Sequence, residues 1–281
     1  MLRIAVPNKG SLSEAAAQML KEAGYKTRRD SKELVLADPE HDIEFFYLRP
    51  RDIALYVGSG TLDGGITGRD LLLDSDTDAV ETMALGFAVS TFRFAGHPGI
   101  VTDLPDLAGK RIATSYARLV DDYLTKRHIQ ARVVRLDGAV ETAITLGVAD
   151  VIADVVETGT TLRMQGLDTF GEPILRSEAV LVCLPENADL EGLEVLARRL
   201  HGVVVARTYV MMDYDVRVEL VEQACALTPG LESPTVSPLH REGFVAVRAM
   251  VPRKGMNQLM DGLYALGARA ILVTDIGACR L

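Results

Sequence analysis

The chain has 281 residues, of which 48% are hydrophobic and 25% are charged, and this balance is typical of a globular protein of about two domains. Thirty basic against 39 acidic side chains leave a formal net charge of −9. The sequence has no basic stripe of the kind that nucleic-acid binders carry, and the longest stretch without a charged residue, 82–92, is too short to span a membrane. We therefore expect neither a nucleic-acid nor a membrane partner.

The cysteines and the first residues bear on location. Cys183, Cys225 and Cys279 form no CxxC pair, and MLRIAVPNKG lacks the pattern of a secretory signal. Thiols in such a pattern are typical of a reducing compartment. The expectation is a cytoplasmic protein.

Strand and helix patterns alternate along the first ninety residues. Short apolar runs predict strands at 2–6, 43–48 and 64–67, and helical patterns start at 11, 52 and 71. Ser11 followed by Glu14 has the form of a capping box, and Gly24 suits the end of the first helix. This alternation predicts an α/β domain with a largely parallel sheet.

A second alternating series begins after a turn at 97–99. Its predicted strands are 110–114, 131–136, 151–156 and 178–184, and its predicted helices are 117–127, 139–146 and 190–200. Two similar α/β lobes with a crossing near residue 93 predict a cleft between them, where ligands commonly bind.

The last part of the chain has another order. Strands are predicted at 203–212, 231–239, 244–251 and 270–275, with helices at 216–227 and 257–266. That order is β-α-β-β-α-β, the split βαβ pattern of ferredoxin-like domains. Such a module is more often a regulatory or assembly unit than a catalytic one, by analogy of fold alone.

A turn rich in hydroxyl groups follows the predicted strand at 151–156. The residues Glu157-Thr158-Gly159-Thr160-Thr161-Leu162 combine one glycine with three threonines at the start of a short helix. Backbone N–H groups, threonine hydroxyls and the partial positive charge of a helix start are suited to a phosphate monoester. The spacing is neither a Walker loop nor a dinucleotide fingerprint. An ordinary capped turn remains the alternative at this point.

Charged residues follow three other predicted strands. They are Lys9 before Gly10, Arg49 before Pro50, and Arg69 and Asp70 after Gly68. Pro50 restricts Arg49 to an extended backbone at the end of a strand, where an arginine can bind a phosphate bidentately. The alternatives are a solvated lysine, a surface pair of Arg49 with Asp52, and an N-cap at Asp70.

Two carboxylates four residues apart, Asp137 and Glu141, stand at the start of a predicted helix. Such a pair can bind sugar hydroxyls or a hydrated Mg²⁺, or can simply complement the helix dipole. The five histidines show no metal-ligand spacing, and the sequence contains no GxSxG motif.

Seven separated segments resemble one enzyme family in order along the whole chain. They are AVPNKGSL, FFYLRPRDIALYVGSGTLDGGITGRDLL, RLDGAVETA, ADVIADVVETGTTLRMQGL, YVMMDYDV, ALTPGLESPTVSPL and GARAILVTDI. The chain resembles the long form of the ATP phosphoribosyltransferases, which catalyse the first step of histidine biosynthesis. This resemblance implies an α/β fold with two lobes of the periplasmic-binding-protein type around a cleft, followed by a ferredoxin-like regulatory domain. The implied domains are 1–92 with 185–208, 93–184, and 209–281.

The resemblance also implies the reaction. N1 of the ATP adenine is joined to C1 of phosphoribosyl pyrophosphate, with release of pyrophosphate. Mg²⁺ is the implied cofactor, L-histidine the implied allosteric inhibitor, and a dimer or hexamer the implied assembly. Because the adenine nitrogen has its own lone pair, we expect catalysis by positioning and electrostatics, with Arg49 and Mg²⁺ stabilising the leaving pyrophosphate and Glu141 fixing the ribose.

Matching positions give a set of candidate site residues. The phosphoribosyl pyrophosphate site is implied at Asp154, Glu157, Thr158, Gly159, Thr160, Thr161 and Leu162, with Arg49 and Glu141 as catalytic residues. The nucleotide region is implied at Lys9, Gly10, Leu12, Asp70 and Tyr116. The histidine pocket is implied between neighbouring C-terminal domains at Asp215, Leu231, Ser233, Thr235 and Ala270.

Two other functions fit parts of the same pattern. A cytoplasmic solute-binding sensor without catalysis would also have two lobes, a cleft and a ligand-sensing domain. A different class of phosphoribosyltransferase carries two adjacent acids before its phosphate loop, whereas Asp154 has no adjacent acid. The clustering of a phosphate loop with Lys9 and Arg49 favours phosphorylated substrates over a plain amino acid.

Overall fold

The computed structural model describes residues 1–28, 30, 32–156 and 159–280. Its strands are β1 (Leu2–Pro7), β2 (Val35–Asp38), β3 (Ile43–Leu48), β4 (Gly64–Gly68), β5 (Val80–Ala84), β6 (Ser90–Gly96), β7 (Arg111–Thr114), β8 (Arg132–Arg135), β9 (Val151–Val156), β10 (Asp168–Ser177), β11 (Ala179–Cys183), β12 (Tyr209–Arg217), β13 (Thr235–Pro238), β14 (Phe244–Pro252) and β15 (Arg269–Asp275). Its helices are α1 (Ser11–Glu22), α2 (Pro50–Gly58), α3 (Arg69–Asp74), α4 (Ala117–Lys126), α5 (Thr142–Thr145), α6 (Thr160–Met164), α7 (Glu191–Thr208), α8 (Val221–Leu227) and α9 (Met256–Leu266).

The chain forms two compact units, Met1–Ala197 and Arg198–Leu281. The first unit contains two sheets. The first sheet has the order β2-β3-β1-β4-β11-β5 and defines the first lobe, and the second has the order β10-β6-β9-β7-β8 and defines the second lobe. The expected α/β class with two lobes is confirmed.

Both sheets are mixed, so the prediction of a largely parallel sheet was wrong. Strand β1 is parallel to β3 and β4, and β7 is parallel to β8 and β9, but the other pairs are antiparallel. The antiparallel members include β2, β5 and β10, which the sequence analysis did not predict. Their residues are largely exposed or contain glycine and proline, so they lack the apolar run that marks a buried strand.

The chain passes between the two lobes twice. After β5 it enters the second sheet at β6, and after β10 it returns to the first sheet at β11, where Ala179 pairs with Gly68. The return therefore begins at residue 179, within the range expected for the second lobe, and not at 185. The division into domains at 92, 184 and 208 stays a prediction.

The ends of two helices differ from the sequence expectations. The predicted strand at 203–212 was wrong, because α7 continues to Thr208 and β12 starts at Tyr209. Leu193, Leu196, Leu200 and Val203 are buried at spacings of three and four residues, which is the period of a helix face and overrides the strand preference of the valines.

The capping box at Ser11 was also wrong, since Gly10 is the N-cap and no side chain caps α1.

The second unit is a ferredoxin-like domain, as expected. Its order β12, α8, β13, β14, α9, β15 is the β-α-β-β-α-β pattern, and its antiparallel sheet has the order β13-β14-β12-β15. Alternate residues of β12, from Val210 to Val216, are buried in the core of this domain. The intervening residues lie on the opposite face of the sheet.

Among the described residues, no helix combines the length and the apolar character that crossing a membrane requires.

Candidate functional site

Most candidate site residues follow the carboxyl ends of parallel strands. In the first lobe Lys9 follows β1, Arg49 follows β3, and Asp70 follows β4. In the second lobe Tyr116 follows β7. Because parallel strands end at the same edge of a sheet, these residues share the edge at which α/β proteins bind ligands.

One cavity of about 360 Å³ unites the predicted phosphate loop with two carboxylates. It is lined by Glu141, Asp154, Val155, Val156, Gly159, Thr160, Thr161 and Leu162. Gly159 has a φ of 69°, a left-handed conformation that side chains disfavour, and it is the N-cap of α6. Glu157 and Thr158, which complete the predicted loop, lie outside the described residues.

The short length of α6 changes the expected source of anion affinity. This helix has five residues, and its first two, Thr160 and Thr161, are exposed. A single helical turn has few aligned peptide dipoles, so individual backbone N–H groups and the threonine hydroxyls contribute more here than a helix dipole does.

Asp154 is a half-buried carboxylate among other acids. Burial raises its pKa to about 6, and the charges of Glu141 and Asp70 act in the same direction. The backbone N–H of Val155 donates to Asp154 Oδ1 over 2.8 Å, which lowers the pKa only in part. This site thus favours a ligand that brings hydroxyl donors or positive charge to the carboxylate.

A second cavity, of about 560 Å³, is lined by both lobes. Its lining residues are Lys9, Arg49, Pro50, Arg51, Asp52, Leu71, Ser115, Tyr116 and Asp137. Arg49 has φ −63° and ψ 135°, the extended conformation that Pro50 was expected to impose. Gly10, just before α1, and Leu12, in the first turn of α1, line neither cavity.

Two cations of this second cavity, Lys9 and Arg49, have no acidic partner among the described residues. Lys9 and Arg49 are exposed, and within the described part of the chain neither forms an ion pair or a side-chain hydrogen bond. The alternative pairing of Arg49 with Asp52 is therefore wrong. Two exposed and unneutralised cations at the mouth of one cavity are suited to a phosphorylated ligand.

Asp70 is buried where the two lobes meet. The Ser177 hydroxyl donates to its Oδ1 over 2.7 Å, and its own backbone N–H donates to Ser177 Oγ over 3.1 Å. The N-cap of α3 is Gly68, so the alternative of an N-cap at Asp70 is wrong. A Cβ atom at Gly68 would lie 2.4 Å from Asp70 Oδ1, so glycine at this position leaves room for the carboxylate.

Tyr116 connects Asp70 to the second lobe. Burial raises the pKa of the Tyr116 hydroxyl, and the charge and the hydrogen bond of Asp70 raise it further. The hydroxyl therefore stays protonated and donates to the carboxylate. The ring lies edge-on to Phe92 at 5.0 Å between centroids, and the Arg51 guanidinium lies 4.8 Å from the ring centroid.

Arg69 does not face a ligand, although its sequence context resembles that of Arg49. Its guanidinium forms two hydrogen bonds of 2.7 Å with Glu81 and two longer ones of 3.3 Å with Glu178. The Glu81 carboxylate raises the pKa of Arg69. Arg69 thus ties β4 to the neighbouring strands.

Sequence reasoning missed two residues of the site. Arg51 stacks on Tyr116, and it was overlooked although it stands two residues after Arg49 in the same LRPRD segment. Ser177 binds Asp70 across 107 residues of sequence, and no local pattern marks such a contact.

The implied histidine-pocket residues lie in the second unit on two sides of its sheet. Asp215 is half-buried on β12, next to Ala270 on β15, which has an unusual φ of 50° for alanine. Leu231, Ser233 and Thr235 are exposed, and Thr235 starts β13, two strands away from β12. Strand β14 lies between β13 and β12 and thus separates Thr235 from Asp215. The histidine pocket between neighbouring C-terminal domains stays a prediction.

Comparison with known proteins gives matches over the whole chain. A family model described as ATP phosphoribosyltransferase matches residues 49–202, and a model described as the HisG C-terminal domain matches residues 206–278. Curated ATP phosphoribosyltransferases of Arthrobacter sp. (strain FB24) and Streptomyces coelicolor are each 65% identical to this chain, with 100% of both chains covered. The solved ATP phosphoribosyl transferase (HisG:HisZ) complex from Thermotoga maritima matches with 29% identity and a TM-score of 0.63, over 73% of this chain and 98% of that one.

The raised pKa of Asp154 predicts how stability varies with pH in the ligand-free protein. The pKa is higher in the folded state, about 6, than the ordinary value of 3.8 for an aspartate in water. Stability should therefore fall as pH rises from about 4 to about 6 and then level off, by up to roughly 3 kcal/mol for two pKa units.

We expect Asp154→Asn to remove this fall and to raise the free energy of unfolding at pH 7, while reducing activity. Urea unfolding between pH 4 and 8 measures the effect. Asp150→Asn is the matched control, because Arg111 lowers the pKa of Asp150 to about 2 and the control should lose stability at pH 7. An Asp154→Asn profile parallel to that of the parent would contradict this account.

Proposed function

The chain belongs to the ATP phosphoribosyltransferase family, and from that membership we propose how its own residues carry out the transfer. Its activity is that of a pentosyltransferase of histidine biosynthesis, which transfers the phosphoribosyl group of phosphoribosyl pyrophosphate to ATP. Curated relatives with this activity are 65% identical to the chain over its full length, which argues against the alternative of a solute-binding sensor without catalysis. The proposal depends above all on the cavity that unites Glu141 and Asp154 with the loop at Gly159.

The loop from Gly159 to Thr161 binds the 5-phosphate of phosphoribosyl pyrophosphate. Gly159 in its left-handed conformation is the N-cap of α6, so the loop brings the amino end of this helix to the cavity. Thr160 and Thr161 are exposed at the same cavity and add hydroxyl donors. Several donors converging on one phosphate compensate for its loss of water.

Glu141 and Asp154 bind the ribose in the same cavity. Ionised carboxylates accept hydrogen bonds from the ribose hydroxyls, and these bonds favour the charged form of Asp154 over the protonated form that burial favours. The two negative charges also stabilise the positive charge that develops at C1 when pyrophosphate departs. The two carboxylates act through their charge and by positioning the ribose, so no protein nucleophile is needed.

The second cavity binds the nucleotide and the leaving group. Tyr116 and Leu71 border the adenine, whereas the exposed Lys9 and Arg49 face the phosphates. As the bond from C1 to the pyrophosphate oxygen breaks, its electron pair stays on that oxygen, where Arg49 stabilises it. The lone pair of adenine N1 forms the new bond to C1.

The residues present fit a Mg²⁺ ion held mainly by the substrate. Within the described ranges no three acidic, histidine or cysteine side chains form a ready metal cage. Mg²⁺ commonly binds through one or two carboxylates together with substrate phosphates and water, and Glu141 and Asp154 can supply these carboxylates. When bound, the ion would neutralise charge on the pyrophosphate.

L-histidine acts as an inhibitor through the ferredoxin-like domain. Asp215 is half-buried, and in the described part of this domain it forms no ion pair, so it can bind a cationic amino or imidazole group. We place the pocket between the C-terminal domains of neighbouring copies, as the family resemblance implies, and this placement requires two domains. The separation of Thr235 on β13 from Asp215 on β12 by strand β14 supports it. This requirement agrees with a homo-oligomer, from dimer to hexamer. A cytoplasmic location stays a prediction.

Arg49→Ala tests the role in the departure of pyrophosphate. We expect kcat to fall about a hundredfold, or ~3 kcal/mol, because one charged contact to the transition state is lost. Steady-state release of pyrophosphate at saturating substrates measures the change. Arg132→Ala is the control, since Arg132 is an exposed arginine at the opposite, amino end of a parallel strand. A near-normal kcat in Arg49→Ala would remove Arg49 from the chemical step.

Gly159→Val tests the phosphate loop. A side chain at φ 69° forces the backbone to change, so we expect the KM for phosphoribosyl pyrophosphate to rise at least about tenfold. Gly147→Val is a matched control, because Gly147 has the same φ of 69° and lines neither cavity. Equal KM values in the two variants would show that the loop is not part of the site.

Asp215→Ala tests the regulatory pocket. Inhibition by L-histidine should weaken by about tenfold or more, since a charge-assisted hydrogen bond is lost, while uninhibited turnover stays unchanged. Inhibition curves at fixed substrate concentrations measure this. The control is Asp213→Ala, which removes a carboxylate of the same strand that Arg248 already neutralises over 2.6 Å. Unchanged sensitivity in Asp215→Ala would place the histidine site elsewhere.

A further inference from the structure

The amino end of α4 is capped by a residue from the other lobe. Tyr116 occupies the N-cap position, and its side chain accepts no hydrogen bond from the helix. The first N–H groups of a helix need acceptors, which an N-cap side chain usually provides. Here Asp74 Oδ1 accepts from the backbone N–H groups of Arg118 and Leu119, over 3.1 and 3.2 Å. Asp74 ends α3 in the first lobe, whereas α4 follows β7 of the second sheet.

The second oxygen of the same carboxylate holds a cation against Tyr116. Asp74 Oδ2 accepts from Arg51 Nη1 over 2.7 Å, and the Asp74 side chain is only 8% exposed. The Arg51 guanidinium in turn lies 4.8 Å from the centroid of the Tyr116 ring. One buried carboxylate therefore fixes both the helix that carries Tyr116 and the cation stacked on its ring.

This arrangement leaves the Tyr116 side chain free for the site. A serine or aspartate at the N-cap would turn back onto its own helix, whereas Tyr116 extends to Asp70 and lines the second cavity. We propose that Asp74 is a positioning residue for the nucleotide, which sets Tyr116 and Arg51 by capping α4 across the two lobes. The inference rests on the proposed placement of the nucleotide in that cavity.

The proposal separates the two substrates. Asp74 contacts α4 and Arg51, which border the nucleotide cavity, but it does not line the cavity with Glu141, Asp154 and Gly159. Phosphoribosyl pyrophosphate extends into the nucleotide cavity only with its pyrophosphate, which faces Arg49 and not the hydrogen-bond partners of Asp74. Loss of Asp74 should therefore impair use of ATP more than use of phosphoribosyl pyrophosphate. A cap with a purely structural role would instead lower stability and affect both substrates alike.

A neighbouring carboxylate provides a matched control. Asp76 forms an ion pair with the side chain of Arg118, so it too links the end of α3 to α4. Both side chains are largely exposed, at 46% and 64%, and exposed pairs contribute little to stability. Asp76→Asn removes one negative charge at nearly the same place and leaves the helix cap intact.

The experiment compares Asp74→Ala, Asp74→Asn and Asp76→Asn in the full-length chain. The KM for ATP should rise about tenfold in Asp74→Ala, with a smaller rise in Asp74→Asn, whose amide oxygen still accepts from Arg118 and Leu119. The KM for phosphoribosyl pyrophosphate should stay within about twofold of the parent in all three. Asp76→Asn should match the parent in both constants.

Two results would overturn the inference. One is an unchanged KM for ATP in Asp74→Ala, and the other is an equal rise for both substrates together with a lower melting temperature. If Asp74→Ala does not fold, Asp74→Asn carries the same comparison. Calorimetric titration with ATP measures binding independently of turnover. Weaker ATP binding by the Asp74 variants than by the parent supports the positioning role of Asp74, even if the parent shows no transfer. Absence of transfer in the parent contradicts the proposed function and not this inference.

Discussion

The hydrogen bonds on the buried carboxylate of Asp70 determine how the two lobes meet. Asp70 follows β4 of the first sheet, Ser177 ends β10 of the second sheet just before the chain returns to the first, and Tyr116 follows β7 of the second sheet. A carboxylate removed from water is destabilising unless donors surround it, so these three segments are held at one point. The lack of a side chain at Gly68 makes the approach possible. The strand ends that carry the site are positioned as a consequence.

The same region concentrates charge that the protein alone does not neutralise. Asp154 lies close enough to Glu141 and Asp70 for their charges to raise its pKa, and the positive charge of Arg51 opposes them. Natural active sites commonly retain such unfavourable groupings at a cost in stability, because a ligand relieves them. In the proposed placement of the substrates, the ribose hydroxyls and the accompanying ions would provide that relief. Binding and stability are therefore coupled through one carboxylate.

The sequence was sufficient to locate the loops but not the contacts between them. Lys9, Arg49, Gly159 and their neighbours could be recognised because charged, glycine and threonine residues directly follow apolar strands. The resemblance to a known family then supplied the substrates, which no spacing encodes. The pairing of β11 with β4, the bond from Ser177 to Asp70 and the cap from Asp74 to α4 join residues between 44 and 119 positions apart. Such contacts depend on the folded chain and leave no local pattern.

The most direct test of the account is a crystal structure of the protein with phosphoribosyl pyrophosphate and Mg²⁺. The account predicts the 5-phosphate within hydrogen-bond distance of the backbone N–H groups and hydroxyls of Thr160 and Thr161, the ribose hydroxyls at Glu141 and Asp154, and the pyrophosphate facing Arg49. A 5-phosphate bound away from this loop, or a ribose without contact to either carboxylate, would contradict it.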